Sequence, residues 1–345
     1  MSLHVIVGAG PVGSATARLL ASNGEQVRLV TCSGGGPEQE GIERIAADAS
    51  AADTLARYAA GGAALYSCAG LAYHRWPTDW PPLGAALVHA AETSGAVLAI
   101  TANLYCYGQV DVPMTEDLPL RPNSVKGQVR TKLWTDALAA HQAGRIRTVE
   151  VRGSDYLGAE TITPFNAMVL PKVLAGRRSS IPADLDAPHS WTYVGDVART
   201  LVAAAARENA WGRPWHVPTA PPVSIRALAA RAAELAGAAP PGVEDADPRT
   251  PPRRTVQSGR AGDARDAVPA AAAVRPRLVG RDRCLRHPTN HDRPSLEGDH
   301  RRHTLTCPAL TTSFATVSDD DACRIPEGCV GKGQERTGRP TARLD

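Results

Sequence analysis

The 345-residue chain predicts an α/β fold, a doubly wound parallel sheet with helices on both faces. Three observations carry this. A glycine turn, Gly8-Ala9-Gly10-Pro11-Val12-Gly13, stands between the apolar run Leu3 to Val7 and the small-residue helical segment Ser14 to Ala21. Short apolar strands then alternate with helical stretches as far as about Gly237. Hydrophobic residues make up 43% of the chain, enough for a sizeable core, yet its only phenylalanines are Phe165 and Phe314, so that core is built mainly from Ala, Val and Leu.

Strand, tight glycine turn and helix N-terminus form the layout that lets a backbone approach a dinucleotide pyrophosphate. Gly8 makes the turn, Gly10 leaves room for phosphate, Gly13 lets helix and strand pack closely, and Pro11 and Val12 begin the helix. The plain alternative is a βα turn with no ligand. Gln26 to Thr31 is the next strand and runs into Cys32-Ser33, where an NAD-preferring protein of this layout places Asp or Glu for the ribose hydroxyls. The missing acid leans the expectation from NAD to NADP and counts against an FAD hydroxylase. Arg28 and Arg44 are distant candidates for a 2′-phosphate.

Ile42 to Ala46 is a third strand, followed by Asp48-Ala49-Ser50, where Asp48 either contacts an adenine or caps a helix from Ala51 to Ala60. Ala63 to Cys68 is a fourth, and the small residues Cys68-Ala69-Gly70 fall where a backbone passes close to a cofactor. Tyr73 to Pro82 then reads as a proline-stiffened loop. With His74, Arg75, Trp76 and Trp80 it is either a substrate-contacting segment or a lid anchored by its own aromatics.

Several classes are set aside on composition. A net charge of +3 is too small to argue for nucleic acid. No apolar run approaches the roughly 18 residues of a membrane span, and the chain opens on a strand instead of a signal region, so a cytoplasmic protein is expected. The seven cysteines read as free thiols, with no Cys-x-x-Cys pair, and His287 and His291 have no visible scaffold, so no metal site is expected.

Gly95 to Ile100 is a fifth strand, leading into Thr101-Ala102-Asn103-Leu104-Tyr105-Cys106-Tyr107-Gly108. Downstream come Thr115-Glu116-Asp117, then Lys126-Gly127-Gln128-Val129-Arg130 opening a helix through Ala140, then a sixth strand Arg147 to Arg152 with Gly153 to Gly158 after it. Tyr193-Val194-Gly195-Asp196-Val197-Ala198 opens a later helix, with Asp196 expected to cap Val197 to Ala206. Trp215 to Val217 is a further strand, and Ser224 caps a helix from Ile225 to Leu235. Over about residues 3 to 237 the chain resembles the NAD-dependent epimerase/dehydratase family, the extended short-chain dehydrogenases.

That resemblance implies a Rossmann domain over residues 1–237 with its substrate part from about 153 onward, and a cofactor site at the glycine turn, Asp48, Ala49, Cys68, Ala69, Thr101 and Arg130. It also implies a Ser or Thr four residues before the tyrosine of the Tyr107-Gly108 pair and a Tyr-x-x-x-Lys pair, in which the lysine lowers the tyrosine pKa while hydride moves. Here those positions hold Asn103, Lys126 and Arg130, and no tyrosine in the chain has a lysine four residues later. Lys126 acts as acid or base only if its pKa falls toward neutrality; otherwise Lys126 and Arg130 are ordinary cations of a helix start. Tyr105, Tyr107 and Tyr156 are alternative phenols, and His74, Trp76, Tyr156 and Trp191 are candidates to face the substrate.

Two functions are therefore expected: an NAD(P)-dependent oxidoreductase or epimerase/dehydratase for a small polar or sugar-like substrate, plausibly homodimeric, or a non-catalytic NAD(P)-binding sensor. From Pro240 onward Arg, Pro and Asp dominate and periodicity is lost, so residues 238–345 are expected to be disordered. Read one nucleotide later, the codons possible for Val274 to Arg293 permit a segment resembling the family's C-terminal Asp-Ser-Ser and Phe-Gly-x-x-Pro-Thr. That predicts a frameshift between about Gly237 and Asp263. A natural basic tail that binds an acidic partner is the alternative.

Overall fold

The computed structural model describes residues 1–239 and 241–245. The expected tail, its frameshifted segment, His287 and His291 lie outside the described residues, apart from a short strand at their edge.

The chain begins with β1 (Leu3–Val7), α1 (Pro11–Ser22), β2 (Gln26–Thr31), β3 (Ile42–Ala46), α2 (Ala52–Ala59) and β4 (Gly62–Ser67). A single 3₁₀ turn, Tyr73–Arg75, leads into α3 (Trp76–Ser94) and β5 (Val97–Asn103). Another 3₁₀ turn, Leu104–Tyr107, precedes α4 (Val125–Gln142), β6 (Arg147–Gly153) and β7 (Asp155–Leu157). The remainder holds α5 (Leu170–Leu174), β8 (Ser179–Ile181), β9 (Trp191–Tyr193), α6 (Val194–Ala205), β10 (Pro214–His216), α7 (Ile225–Ala236) and β11 (Val243–Asp245).

Seven strands form one sheet in the order β10-β6-β5-β4-β1-β2-β3, and every pairing in it is parallel. Alternation along the strands sends side chains to two cores. Val5, Val7, Leu65 and Leu98 meet α2, α3 and α4 on one face, while Ile6, Leu29, Ala99 and Val149 meet α1 and α6 on the other. A third core, with Phe165, Val173, Ile181, Trp191, Ile225 and Val243, belongs to the part beyond β6. There β11 pairs with β8 and β7 with β9. The strand β11 lies past Gly237, where periodicity in the sequence ends; three residues are too few to show a period.

Three local expectations need correction. The stretch expected as a loop from Tyr73 to Pro82 is a 3₁₀ turn and the start of α3. Pro77 falls in the first turn, where no N–H is needed. Pro81 and Pro82 do remove helix donors, but Trp76, Trp80 and Leu83 are buried against the sheet and hold the helix despite them. Asp48 does not cap α2: its Oδ1 accepts from the Ser50 N–H at 2.9 Å and the Ser50 hydroxyl at 2.7 Å, a turn closed before the helix starts. Asp196 does not cap α6 either, because that helix begins at Val194; Asp196 sits in its first turn, where an acid suits the helix dipole, and pairs with Arg199 at 2.5 Å.

Candidate functional site

The sheet order reverses between β1 and β4, so a crevice opens past their carboxyl ends, where ligands of such sheets bind. The glycine turn lies at its floor. Gly8 has φ +99°, and a Cβ there would sit 2.6 Å from Ala69 Cα and 2.8 Å from the Cys68 carbonyl oxygen. A Cβ on Gly13 would overlap the Gly8 carbonyl oxygen, so only glycine lets α1 seat this closely on the turn. Around Gly10, by contrast, there is open space. The N-terminus of α1 has no side-chain cap and no acid in its first turn, so its free N–H groups face the crevice. This donor set, next to an empty cradle that a Cβ would fill, fits a pyrophosphate.

At the same strand ends, Cys68 Sγ lies 3.4 Å from Thr101 Oγ1, and burial pushes the thiol up to about 11, so it is a neutral, small wall residue. Ala69 follows it and is partly buried, as are Asp48 and Ala49 after β3. Arg28 is paired with Glu43 at 3.0 Å, and Arg44 with Glu38 at 2.9 Å.

Further along the crevice α4 brings up Lys126 and Arg130. Ser124 caps this helix by accepting the Gly127 N–H at 3.1 Å, which fixes the first turn. Arg130 is 9% exposed; its guanidinium carbon stands 4.6 Å from the Trp76 ring and 4.3 Å from the Trp80 ring, and Nη1 donates to the Thr101 carbonyl at 3.3 Å. Its Nε is buried and has no hydrogen-bond partner among the described residues. Burial lowers the pKa of this guanidinium, and Tyr156 and Glu150 nearby counter that. The Lys126 ammonium lies 4.5 Å from the centre of the Tyr73 ring.

Asn103 uses its Oδ1 to accept the Tyr105 N–H at 3.2 Å and so caps the turn after β5. Tyr105 shares a side-chain hydrogen bond with Tyr73, and burial raises its phenol pKa. Tyr156 donates to the Ala102 carbonyl at 2.8 Å, and burial raises its pKa too. The structure thus brings together Tyr73, Trp76, Trp80, Tyr105, Lys126, Arg130 and Tyr156. Trp80 belongs to the segment expected to contact substrate or to form an aromatic-anchored lid, whereas Tyr73 is not among the individually expected site residues; the aromatic spacing of Tyr73, Trp76 and Trp80 is the signal for it.

Tyr107 belongs elsewhere. It is 1% exposed, inside a buried network behind the crevice. Arg152 Nε meets Glu150 Oε2 at 2.5 Å, and Arg152 Nη1 donates to the Tyr107 oxygen at 2.7 Å. A guanidinium has no acceptor, so the Tyr107 hydroxyl turns its proton to His216 Nε2, 2.8 Å away, which leaves the histidine proton on Nδ1. The His216 backbone N–H is held by Glu116 Oε1 at 3.0 Å. Burial pushes the His216 pKa down to about 4, and Glu116 opposes it. Thr115-Glu116-Asp117 was the sequence's only pointer to this network.

In the part beyond β6, Trp191 is 9% exposed and donates from Nε1 to the Val223 carbonyl at 3.0 Å. With Phe165, Ile181, Asp184 and Ile225 it lines a shallow pocket, at whose edge His189 approaches Asp155 at 3.2 Å. His74 is exposed on the 3₁₀ turn before α3. Among the described residues no cluster of His, Cys, Asp or Glu is suited to a metal ion, and no helix is long and apolar enough to cross a membrane.

Comparison with known proteins agrees with this geometry. Solved structures share the fold: UDP-glucuronic acid 4-epimerase from Bacillus cereus, in complex with NAD, is 18% identical with a TM-score of 0.62, over 70% of this chain and 85% of that one. UDP-glucose 4-epimerase from Thermotoga maritima, with UDP-glucose, is 18% identical with a TM-score of 0.62, over 72% and 87%. A dTDP-glucose 4,6-dehydratase double mutant from Streptomyces venezuelae, with NAD bound, is 19% identical with a TM-score of 0.58, over 71% and 84%. No protein of curated function matches the sequence. Residues 4–217 match the NAD dependent epimerase/dehydratase family, and the chain belongs to that family.

Proposed function

We propose, from that membership, that the chain is an NAD(P)-dependent oxidoreductase or epimerase/dehydratase acting on a small polar, sugar-like substrate. The observation that carries this reading is the open cradle at Gly10 beneath the uncapped N-terminus of α1, continuous along the strand ends with Cys68, Thr101 and the aromatic-flanked Arg130. In this reading Gly8 to Gly13 hold the pyrophosphate, Asp48 and Ala49 lie on the adenine side, and Cys68, Ala69 and Thr101 line the nicotinamide end. Bound there, the nicotinamide accepts or supplies hydride. Arg130, in the family's lysine position, would place a buried positive charge beside the nicotinamide end of the site and covers the aromatic floor of Trp76 and Trp80.

Asn103 orders the turn beside the reacting atoms, and Lys126 places a positive charge at the mouth. Tyr156, Trp191 and exposed His74 lie toward the substrate, with Trp76 forming the floor under Arg130. The domain then runs beyond the expected end at 237 to include β11, with the substrate part from about 153, as a cytoplasmic, homodimeric protein. For the cofactor, Thr31 in the acid's place leans to NADP, whereas the carboxylate partners of Arg28 and Arg44 compete with a 2′-phosphate.

A second reading, a cofactor-binding sensor without turnover, is favoured by one observation, the replacement of the Tyr-x-x-x-Lys pair by Lys126 and Arg130. Fluorescence titration with NADH and NADPH, followed by a panel of carbonyl substrates, separates them. Binding with turnover supports the enzyme, binding without turnover supports the sensor, and absence of binding overturns both.

A further inference from the structure

The family's tyrosine position is occupied by Lys126, so the enzyme reading above leaves the proton without a carrier. We propose that Tyr73, from the turn after β4, is the acid/base phenol of this site, with Lys126 as its cation: the tyrosine–lysine pairing is kept but assembled from different elements. The inference rests on the enzyme reading and deepens it.

Among the phenols gathered around Lys126 and Arg130, accessibility singles out Tyr73. The hydroxyl of Tyr107 is enclosed between Arg152 and His216, that of Tyr156 is spent on the Ala102 carbonyl, and Tyr105 is turned to Tyr73 itself. Tyr73 is 50% exposed, so its ring edge meets solvent. Its surroundings suit a phenol that gives and regains a proton. The Lys126 ammonium lies 4.5 Å from its ring centre. The Tyr105 hydroxyl, itself kept protonated by burial, hydrogen-bonds it. Trp76 packs against its ring with centroids 5.1 Å apart and limits its motion. The titratable groups facing it are Lys126 and Arg130 from α4, Tyr105 from the turn after β5 and Tyr156 from β7. His74 and Arg75 follow it on its own turn.

The step balances simply. The Tyr73 O–H bond breaks and its proton goes to a substrate carbonyl oxygen, while the carbonyl carbon takes up hydride supplied by reduced nicotinamide. One C=O π bond becomes an O–H and a C–H bond, the substrate is reduced and the nicotinamide oxidised. In the oxidative direction the Tyr73 phenolate would take the hydroxyl proton as hydride passes from the carbon to oxidised nicotinamide, which is reduced.

The test uses the full chain with bound cofactor. NADH and NADPH titrations come first: absence of binding by the unmodified chain overturns the family-level reading and this proposal together. With binding in hand, tyrosines carrying ¹³C at Cζ report their own protonation by NMR, and the Tyr73 signal is the one missing from Tyr73→Phe. Lys126→Met is expected to move the Tyr73 Cζ signal, since the cation at its ring is lost. A signal that does not move overturns the proposal and leaves the family reading standing. In turnover of whichever carbonyl substrate the panel yields, Tyr73→Phe is expected to lower kcat about 10²–10⁴-fold, with cofactor Kd changed less than about threefold. Turnover equal to that of the unmodified chain overturns the assignment.

Discussion

Arg130 and Arg152 are the two buried arginines of the described residues, 9% and 1% exposed, and their surroundings differ in kind. Arg152, on β6, is enclosed by the protein's own polar groups: Glu150 at 2.5 Å, Tyr107 at 2.7 Å, and through Tyr107 the neutral His216. Arg130, on α4, rests on the faces of Trp76 and Trp80 and has one carbonyl at 3.3 Å, and its Nε is unpartnered. A buried charge is tolerable only when paired or hydrogen-bonded. The Arg152 charge is paired by Glu150 within the chain, although its Nη2, like Arg130 Nε, has no hydrogen-bond partner among the described residues. The Arg130 charge has no carboxylate partner among the described residues and is met by two aromatic faces and one carbonyl instead.

The sharpest way to break this contrast is to unpair Arg152. Glu150→Ala leaves its charge buried without a carboxylate and is expected to destabilise the chain by about 3–5 kcal/mol, read by urea unfolding. A cost below about 1 kcal/mol would show that the network does not brace the fold.

A pH series probes the same network more gently. The His216 pKa is depressed to about 4 in the folded chain, below its unfolded value near 6.5, so the unfolded state binds more protons between these values. Stability is therefore expected to be full above about pH 6.5 and to fall by roughly 2–3 kcal/mol as pH drops toward 4. His216→Gln should flatten that part of the profile; an unchanged slope would assign it to the carboxylates instead.

Arg130→Met is expected to behave in the opposite manner to Glu150→Ala. Replacing a lone cation on an aromatic floor with an apolar side chain changes stability by less than about 1 kcal/mol, yet weakens NADH or NADPH binding about tenfold, the loss of a buried positive charge beside the nicotinamide end. Gly10→Ala sharpens the assignment of the cradle: its Cβ meets nothing in the chain, so melting temperature should hold while cofactor affinity drops. A Gly10→Ala chain that binds both cofactors normally would remove the cradle from the site.

Much of the scaffold was legible in the sequence because the signals were local. The Gly8 to Gly13 turn, the apolar runs that became β1 to β6 and the Ser224 cap of α7 each depend on a few adjacent residues. The start of α3 was not legible. Pro77, Pro81 and Pro82 speak against a helix locally, and only the burial of Trp76 and Trp80 against strands from elsewhere in the chain outweighs them. The helix starts at Asp48 and Asp196 were misread for a related reason. A short acid has several nearby donors to choose from, and packing decides where the first turn begins.

The sequence by itself determined the family and its glycine cradle, because backbone conformation at Gly8 and close approach at Gly13 follow from the absence of a side chain. It also determined that the usual tyrosine and lysine are missing at positions 126 and 130. Only the tertiary structure decided what stands in their place. Tyr73 and Lys126 are more than fifty residues apart in the chain, as are Arg130 and Trp76, and no local rule pairs them. Parallel strand order brings the ends of β4 and β5 and the start of α4 to one crevice, and there a phenol, an ammonium and a stacked guanidinium become neighbours.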